Sequence, residues 1–140
     1  MKLLLAVDGS DCSTRAARQL VKLARALRKR ASVVLIHVDT PIMKSVAIRL
    51  GAERTSELHL ESAEAALKAA RGILRRSKIE YREAMLIGDA GPSIADYAAA
   101  NKCDLVVMGS HGRTGIANLV MGSVATKVIA LGSVPVVVVR

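Results

Sequence analysis

The segment DLVVMGSHGRTGIANLVMGSVATKVIA, residues 104–130, holds the chain's densest group of residues able to do chemistry. Gly109, Gly112, Gly115 and Gly122 lie between an apolar, strand-like run and a helical pattern, with Ser110, His111, Arg113, Thr114 and Ser123 among them. Positions without a Cβ let backbone N–H groups face an anion at close range. Gly122 and Ser123 fall near the start of the last helical pattern, where unpaired N–H groups and the positive end of the helix dipole favour phosphate. Ser123 adds a hydroxyl donor, and His111 and Arg113 bring polarity or charge. The alternative is a connection whose glycines serve turns only.

Two better-known phosphate signatures are absent. There is no G-x-x-x-x-G-K-S/T, and no G-x-G-x-x-G follows the first strand. What remains is G-x2-G-x9-G-S, made by Gly109, Gly112, Gly122 and Ser123. Catalysis would need a positioned nucleophile or base. Ser110 and His111 are adjacent in sequence, which does not by itself make a working pair. Asp8 with a divalent metal could support slow phosphoryl transfer, or it could form an Asx-turn or cap the first helix. His37 lies inside a strand and reads as a hydrogen-bonded core residue. His59 lies on a helix with no partner visible in the sequence.

The elements that must position these groups follow from apolar periodicity. LLLAV (3–7), SVVLIHVD (32–39), IEYREAMLIG (79–88), DLVVMG (104–109) and VPVVVVR (134–140) read as strands. Helical spacing runs from Ser13 to about Arg30, with Ser10, Asp11 and Ser13 as candidate caps. A long helix covers roughly 54–77, with Leu60, Ala63, Leu67, Ala70 and Leu74 on one stripe. TPIMKSVAIRLGAERT before it reads as a connection. A short helix follows the GDAGPS turn and ends near Asn101, and another covers about 120–131. Strands alternating with helices imply a parallel sheet with right-handed crossovers. The fold class expected is a Rossmann-like α/β domain over residues 1–140, with a doubly wound five-stranded sheet in the order 3-2-1-4-5. That order puts strands one and four side by side at the switch point, where ligands bind beyond the strand C-termini. Asp8 and Gly109 end those two strands.

Composition narrows the function classes. Phe and Trp are absent and Tyr occurs twice, so the core is aliphatic and stacking platforms for single-stranded nucleic acid are missing. The net charge of +9 raises nucleic acid or acidic surfaces as partners. Its clusters, RALRKR (25–30) and RGILRRSKIEYR (71–82), lie near expected helix ends, where cations complement the dipole. No apolar run approaches the ~18 residues of a membrane span. The opening MKLLLAVDGS is interrupted at Asp8, short of a signal region of ~7–15 apolar residues, and reads as a first strand of a cytoplasmic protein. Cys12 and Cys103 have no metal-ligand or C-x-x-C spacing and read as small, partly buried thiols.

The G-x2-G-x9-G-S spacing after strand four, with VDGS closing strand one, resembles the universal stress protein family. The likeness extends over essentially all 140 residues, from LLLAVDGS through LIHV and GDAGPSI to PVVVV. In that family the motif marks the members that bind ATP, so the resemblance implies ATP as the ligand, with Mg or Mn accompanying the phosphates. It implies Ala6 beside the base, Asp8 at the ribose or a phosphate-bound metal, and Val38 against the adenine, although Val38 could equally be plain core. Met108 and Gly109 would border the ribose. The loop from Ser110 and His111 through Gly112, Arg113 and Thr114 to Gly115 would wrap the phosphates, with Gly122, Ser123 and Val124 closing the far side. The resemblance implies at most weak hydrolysis or autophosphorylation, hence a stress-response regulatory module. It also implies a homodimer through the strand at 134–139, whose uncharged PVVVV edge invites pairing. A nucleotide-independent scaffold dimer and a basic nucleic-acid binder are the alternatives.

Overall fold

Leu3, Leu4 and Leu5 have no exposed surface, so the first strand is covered on both faces. The computed structural model describes residues 1–27, 30–112 and 121–140. Its elements are β1 (Lys2–Ala6), α1 (Asp11–Ala26), β2 (Ser32–Asp39), α2 (Lys44–Arg76), β3 (Tyr81–Ile87), α3 (Ala90–Ala100), β4 (Leu105–Gly109), α4 (Ser123–Leu131) and β5 (Val136–Val139). The sheet order is β3-β2-β1-β4-β5, and every pairing is parallel. This is the expected doubly wound arrangement.

Strand alternation splits the core in two. Leu3 and Leu5 face one side, with Ala16 and Leu20 of α1 and Ala63, Leu67 and Leu74 of α2. Leu4 and Ala6 face the other, with Ile94 and Ala98 of α3 and Ala125 and Val128 of α4. Ala6 is level with Ile36 on one neighbour and Met108 on the other. β1 and β4 therefore end nearly level at one edge of the second layer, while β2 runs on to Asp39 beside β3.

Among the candidate caps it is the Ser10 hydroxyl that accepts from the Ser13 N–H, at 3.1 Å. α1 stops at Ala26, short of the expected Arg30, because Leu27 is extended. Arg28 and Lys29 of the first basic cluster lie outside the described residues, as does residue 120, the expected start of α4.

The largest departure from expectation is α2. It begins at Lys44, so the supposed connection is itself helical. At Gly51 the backbone leaves the helical region (φ 79, ψ 165), a conformation open to glycine but strained for other residues. That break interrupts the apolar period and hides the first segment from pattern reading. Leu60 also departs from its stripe: it is 51% exposed and borders an open cleft, whereas Ala63, Leu67, Ala70 and Leu74 are buried.

Glu83 of β3 finds a partner on α2. Arg71 on α2 donates to both carboxylate oxygens of Glu83, at 2.8 and 2.7 Å, and also pairs with Glu64. Glu83 and then Glu64 raise the guanidinium pKa still further, so this cross-link stays charged. His37 is a hydrogen-bonded core residue, its Nδ1 2.8 Å from the Val7 carbonyl. His59, partnerless in the sequence, meets Asp39, with Nδ1 2.6 Å from Oδ2. The Ser62 hydroxyl donates to Asp39 Oδ1 at 3.1 Å.

Burial acts to raise the Asp39 pKa, but hydrogen bonds from His59, Ser62 and the Thr40 N–H, with the His59 charge, outweigh it and hold the carboxyl below its ordinary range. A depressed folded-state pKa stabilises fully above the unfolded value of ~3.9, and that stability is lost as pH falls through the lower folded value. Asp39→Asn should therefore cost about 1 kcal/mol at pH 7, with the deficit shrinking below pH ~4. Urea denaturation of both proteins across pH 3–7 checks this, and a pH-independent deficit would contradict it.

Candidate functional site

Where β1, β2 and β4 end, the chain leaves β1 and β4 toward opposite faces of the sheet, opening a cleft of ≈ 320 Å³. This lies within the ~300–1,000 Å³ common for small-molecule sites. The cleft takes Ala6, Ile36, Val38 and Met108 from the three strands, giving it an aliphatic floor. Asp8 follows β1 and Ser13 reaches in from the first turn of α1. Gly109, Ser110, His111 and Gly112 form one rim, while Gly122, Ser123 and Val124 form the other at the start of α4.

The sequence-selected residues thus meet around one opening, apart from Arg113, Thr114 and Gly115, which lie outside the described residues. Sequence reasoning missed Val7, Ser13, Ile36, Ala90, Ile94 and Ala125, which also line the cleft. The alternation of β2 could have found Ile36, since it shares a face with Val38. Ala90 and Ile94 belong to α3, and the sequence pattern around them signalled only a turn and a helix start.

Asp8 makes the Asx-turn that the sequence offered as one alternative, and it also lines the cleft. Its Oδ1 accepts the Ser10 N–H at 3.0 Å, an Asx-turn that leads into α1. Its Oδ2 points at the glycine loop, where a Cβ on Gly112 would lie only 2.8 Å away. The carboxylate therefore joins the end of β1 to the far rim. Ser110 is 2% exposed and anchors that rim. Its N–H donates to the Val139 carbonyl and its own carbonyl accepts from the Gly122 N–H, both at 2.7 Å. The second bond ties the loop's two ends together. The Ser110 hydroxyl is also 2.9 Å from His111 Nδ1, so these neighbours do interact.

The rim at α4 presents backbone donors. Gly122 is the N-cap, and among the described residues no side chain caps this helix. By helix geometry the N–H groups of the first turn, beginning at Ser123, have no intrahelical acceptor. An aliphatic floor, a carboxylate at one side and open amides at the other can hold a flat apolar ring linked to an anionic tail. Among the described residues no group of three or more His, Cys, Asp or Glu could hold a metal ion by itself. Asp8 could serve only as one oxygen donor to an ion that the ligand also holds.

Gly109 has a structural reason beyond ligand approach. A Cβ there would lie 2.8 Å from the Cys12 carbonyl carbon and Cβ, and 2.9 Å from the Ser13 nitrogen. The first turn of α1 packs directly over the end of β4, and only a hydrogen fits between them.

Fold and cleft together define an α/β domain with a ligand notch at its topological switch point. The chain belongs to the universal stress protein family, whose sequence profile matches residues 1–140. It is 31% identical to universal stress protein MJ0531 of Methanocaldococcus jannaschii over 139 residues, 99% of this chain and 81% of that protein. The universal stress protein UspA from Lactobacillus plantarum superposes with a TM-score of 0.83 at 23% identity, covering 100% of this chain and 97% of that one. The universal stress protein from Archaeoglobus fulgidus, solved in complex with dAMP, superposes with a TM-score of 0.73 at 26% identity, covering 100% and 98%. Among the described residues no helix is long and apolar enough to cross a membrane.

Gly109→Ala should destabilise the fold by about 1–3 kcal/mol, the usual cost of forcing a methyl into a closed contact. Thermal unfolding measures it. An unchanged midpoint would show that α1 does not need the close approach.

Proposed function

We propose that this protein binds an adenine nucleotide, ATP foremost, in the switch-point cleft and acts as a nucleotide-responsive regulator in the stress response rather than as a turnover enzyme. The observation that carries this reading is the joining, within one cleft, of an aliphatic floor to the uncapped N-terminus of α4. The floor of Ile36, Val38 and Met108 suits the adenine. Asp8 is placed for the ribose or for a metal. The first-turn amides of α4, from Ser123 and Val124, and the backbone around Gly112 suit the phosphates. Arg113, in the same loop, would add a cation beside them. The dAMP complex of the Archaeoglobus fulgidus relative supports an adenine nucleotide as the ligand class.

A Mg or Mn ion would take one hard oxygen donor from Asp8 and the rest from phosphate and water, and would offset phosphate charge. Asp8 would orient that ion through the same carboxylate that fixes the entry into α1. A cytoplasmic location accords with two cysteines that are both free.

The partner proposed is a second copy across β5. The Pro135 and Val139 carbonyls accept from Val106 of β4 and from Ser110 just beyond it, so the odd-numbered residues of this segment turn their polar backbone groups inward. Val136 and Val138 therefore turn their N–H and C=O groups outward along an uncharged edge.

Purified protein should release nucleotide on denaturation, visible near 260 nm because it contains no Trp and two Tyr, and calorimetry should register ATP binding. Ser123→Glu separates binding from folding. A carboxylate in the first turn of α4 should hold or raise the thermal midpoint, through a dipole effect of about 0.3–1 kcal/mol. It should also weaken ATP at least about tenfold by repelling phosphate, one RT ln 10 step of ~1.4 kcal/mol. No heat with ATP, or unaltered affinity in Ser123→Glu, would reject the reading. Light scattering should show a dimer, and Val138→Pro, which removes one outward N–H, should give a folded monomer. A wild-type monomer at micromolar concentration would reject the β5 interface.

A further inference from the structure

A second cleft, ≈ 730 Å³ in volume, lies on the opposite face of the sheet, between α2 and the ends of β2 and β3. Its walls are aliphatic: Ile48 and Leu60 come from α2, and Met85 and Ile87 come from β3. All four are at least 48% exposed, so the described chain leaves these surfaces uncovered. The helical segments before and after Gly51 both contribute to the lining, so the break there shapes the cleft.

The floor carries a polar atom with nothing to bond. His37 is 2% exposed, and its Nε2 is the one fully buried side-chain nitrogen or oxygen among the described residues without a hydrogen-bond partner. Its Nδ1 faces the Val7 carbonyl at 2.8 Å. A carbonyl only accepts, so Nδ1 carries the proton and the neutral ring leaves Nε2 as an acceptor. With Nδ1 turned to β1, Nε2 is the remaining ring nitrogen of a side chain that lines the cleft, and it lies buried beneath that lining. A buried acceptor without a donor is costly, and native structures rarely keep one without a reason.

The rim does not supply the missing donor. His59 and Asp39 also line the cleft, but His59 Nδ1 is engaged with Asp39 Oδ2, and Ser62 and the Thr40 N–H donate to Asp39 Oδ1. The Thr55 hydroxyl donates to the Gly51 carbonyl, and Lys44 and Ser56 also line the cleft, but none of the described groups bonds Nε2. What the site lacks is a hydrogen-bond donor at the floor and hydrocarbon along the walls.

We propose that this cleft binds a small apolar molecule bearing a hydroxyl, whose O–H donates to His37 Nε2 while its hydrocarbon part packs on Ile48, Leu60, Met85 and Ile87. A protein surface does not fit as well, because the unsatisfied atom lies at the buried floor while only the walls are exposed. The site is separate from the switch-point cleft and does not depend on nucleotide binding. A single hydrogen bond, from His37 to Val7, links the two, since Val7 lines the first cleft.

The test uses the full chain, labelled with ¹⁵N, and two probes of matched shape, 4-ethylphenol and ethylbenzene. 4-Ethylphenol should bind saturably, shift the His37 Nε2 resonance, and bind at least about fivefold tighter than ethylbenzene, the least expected of a hydrogen bond to a buried acceptor. Ala52→Trp, which fills the cleft from an exposed helix position, should abolish binding of both probes and leave ATP binding unchanged. His37→Phe should equalise the two probes. If it fails to fold, the comparison of probes on the wild type still decides. Equal affinities, or no saturable shift, would overturn the proposal. So would a long-lived water held at His37 that neither probe displaces, or self-association that moves the same resonances.

Discussion

The contact between the first turn of α1 and the end of β4 governs the geometry of the switch point. With Gly109 unable to carry even a Cβ beneath Cys12 and Ser13, α1 starts almost on top of the sheet. That position sets where Ser10 caps the helix and where Asp8 closes its Asx-turn. The Asp8 carboxylate is then left directed at Gly112 across the notch. On the other side, the Ser110 carbonyl receives the Gly122 N–H, so α4 begins where the loop returns. The cleft is thus held by two backbone approaches, one on each side of β4. Side-chain chemistry enters only after these are in place.

Most of the frame was legible in the sequence because a doubly covered parallel strand has a distinctive appearance. LLLA, VVLI and LVVM are short aliphatic runs ended by polar or glycine-rich turns, and each is a buried central strand. Order followed from alternation with helices, and the notch followed from order. Legibility failed where pattern and geometry part. Gly51 breaks the period of α2, so a helical segment looked like a connection. Leu60 keeps the period but lies where the helix borders a cleft. In both cases tertiary context, not local propensity, decided the outcome.

Polar partners were the least legible. Asp39 and His59 are twenty positions apart and meet only because α2 packs back over β2. Glu83 likewise gains its partner only from the fold, when Arg71 reaches from α2 to the edge strand with two hydrogen bonds. Periodicity ranks faces of elements but carries no information on which ionic groups become neighbours. The glycines show a related ambiguity. Spacing flagged Gly109 as a ligand position, while the contact with α1 shows that the fold also requires a glycine there. The same residue type answers to a packing constraint that the spacing did not reveal.

The two faces of the sheet carry different kinds of polarity, and this follows from the topology. On the α3 and α4 face, β1 and β4 end beside a helix N-terminus, so the polar groups there are main-chain donors suited to an anion. On the α1 and α2 face, α2 follows β2 and covers its end with side chains, so the polar groups are side chains, His37, Asp39, Lys44, Thr55, Ser56 and His59, among aliphatic ones. A highly charged ligand fits the first setting, because amides and a helix dipole can meet its charge without titrating. His37 sits at the junction, its Nδ1 on the Val7 carbonyl where β1 exits and its side chain among those lining the second cleft. The two faces thus differ in the polar groups they offer, main-chain donors on one and side chains on the other, with one imidazole between them.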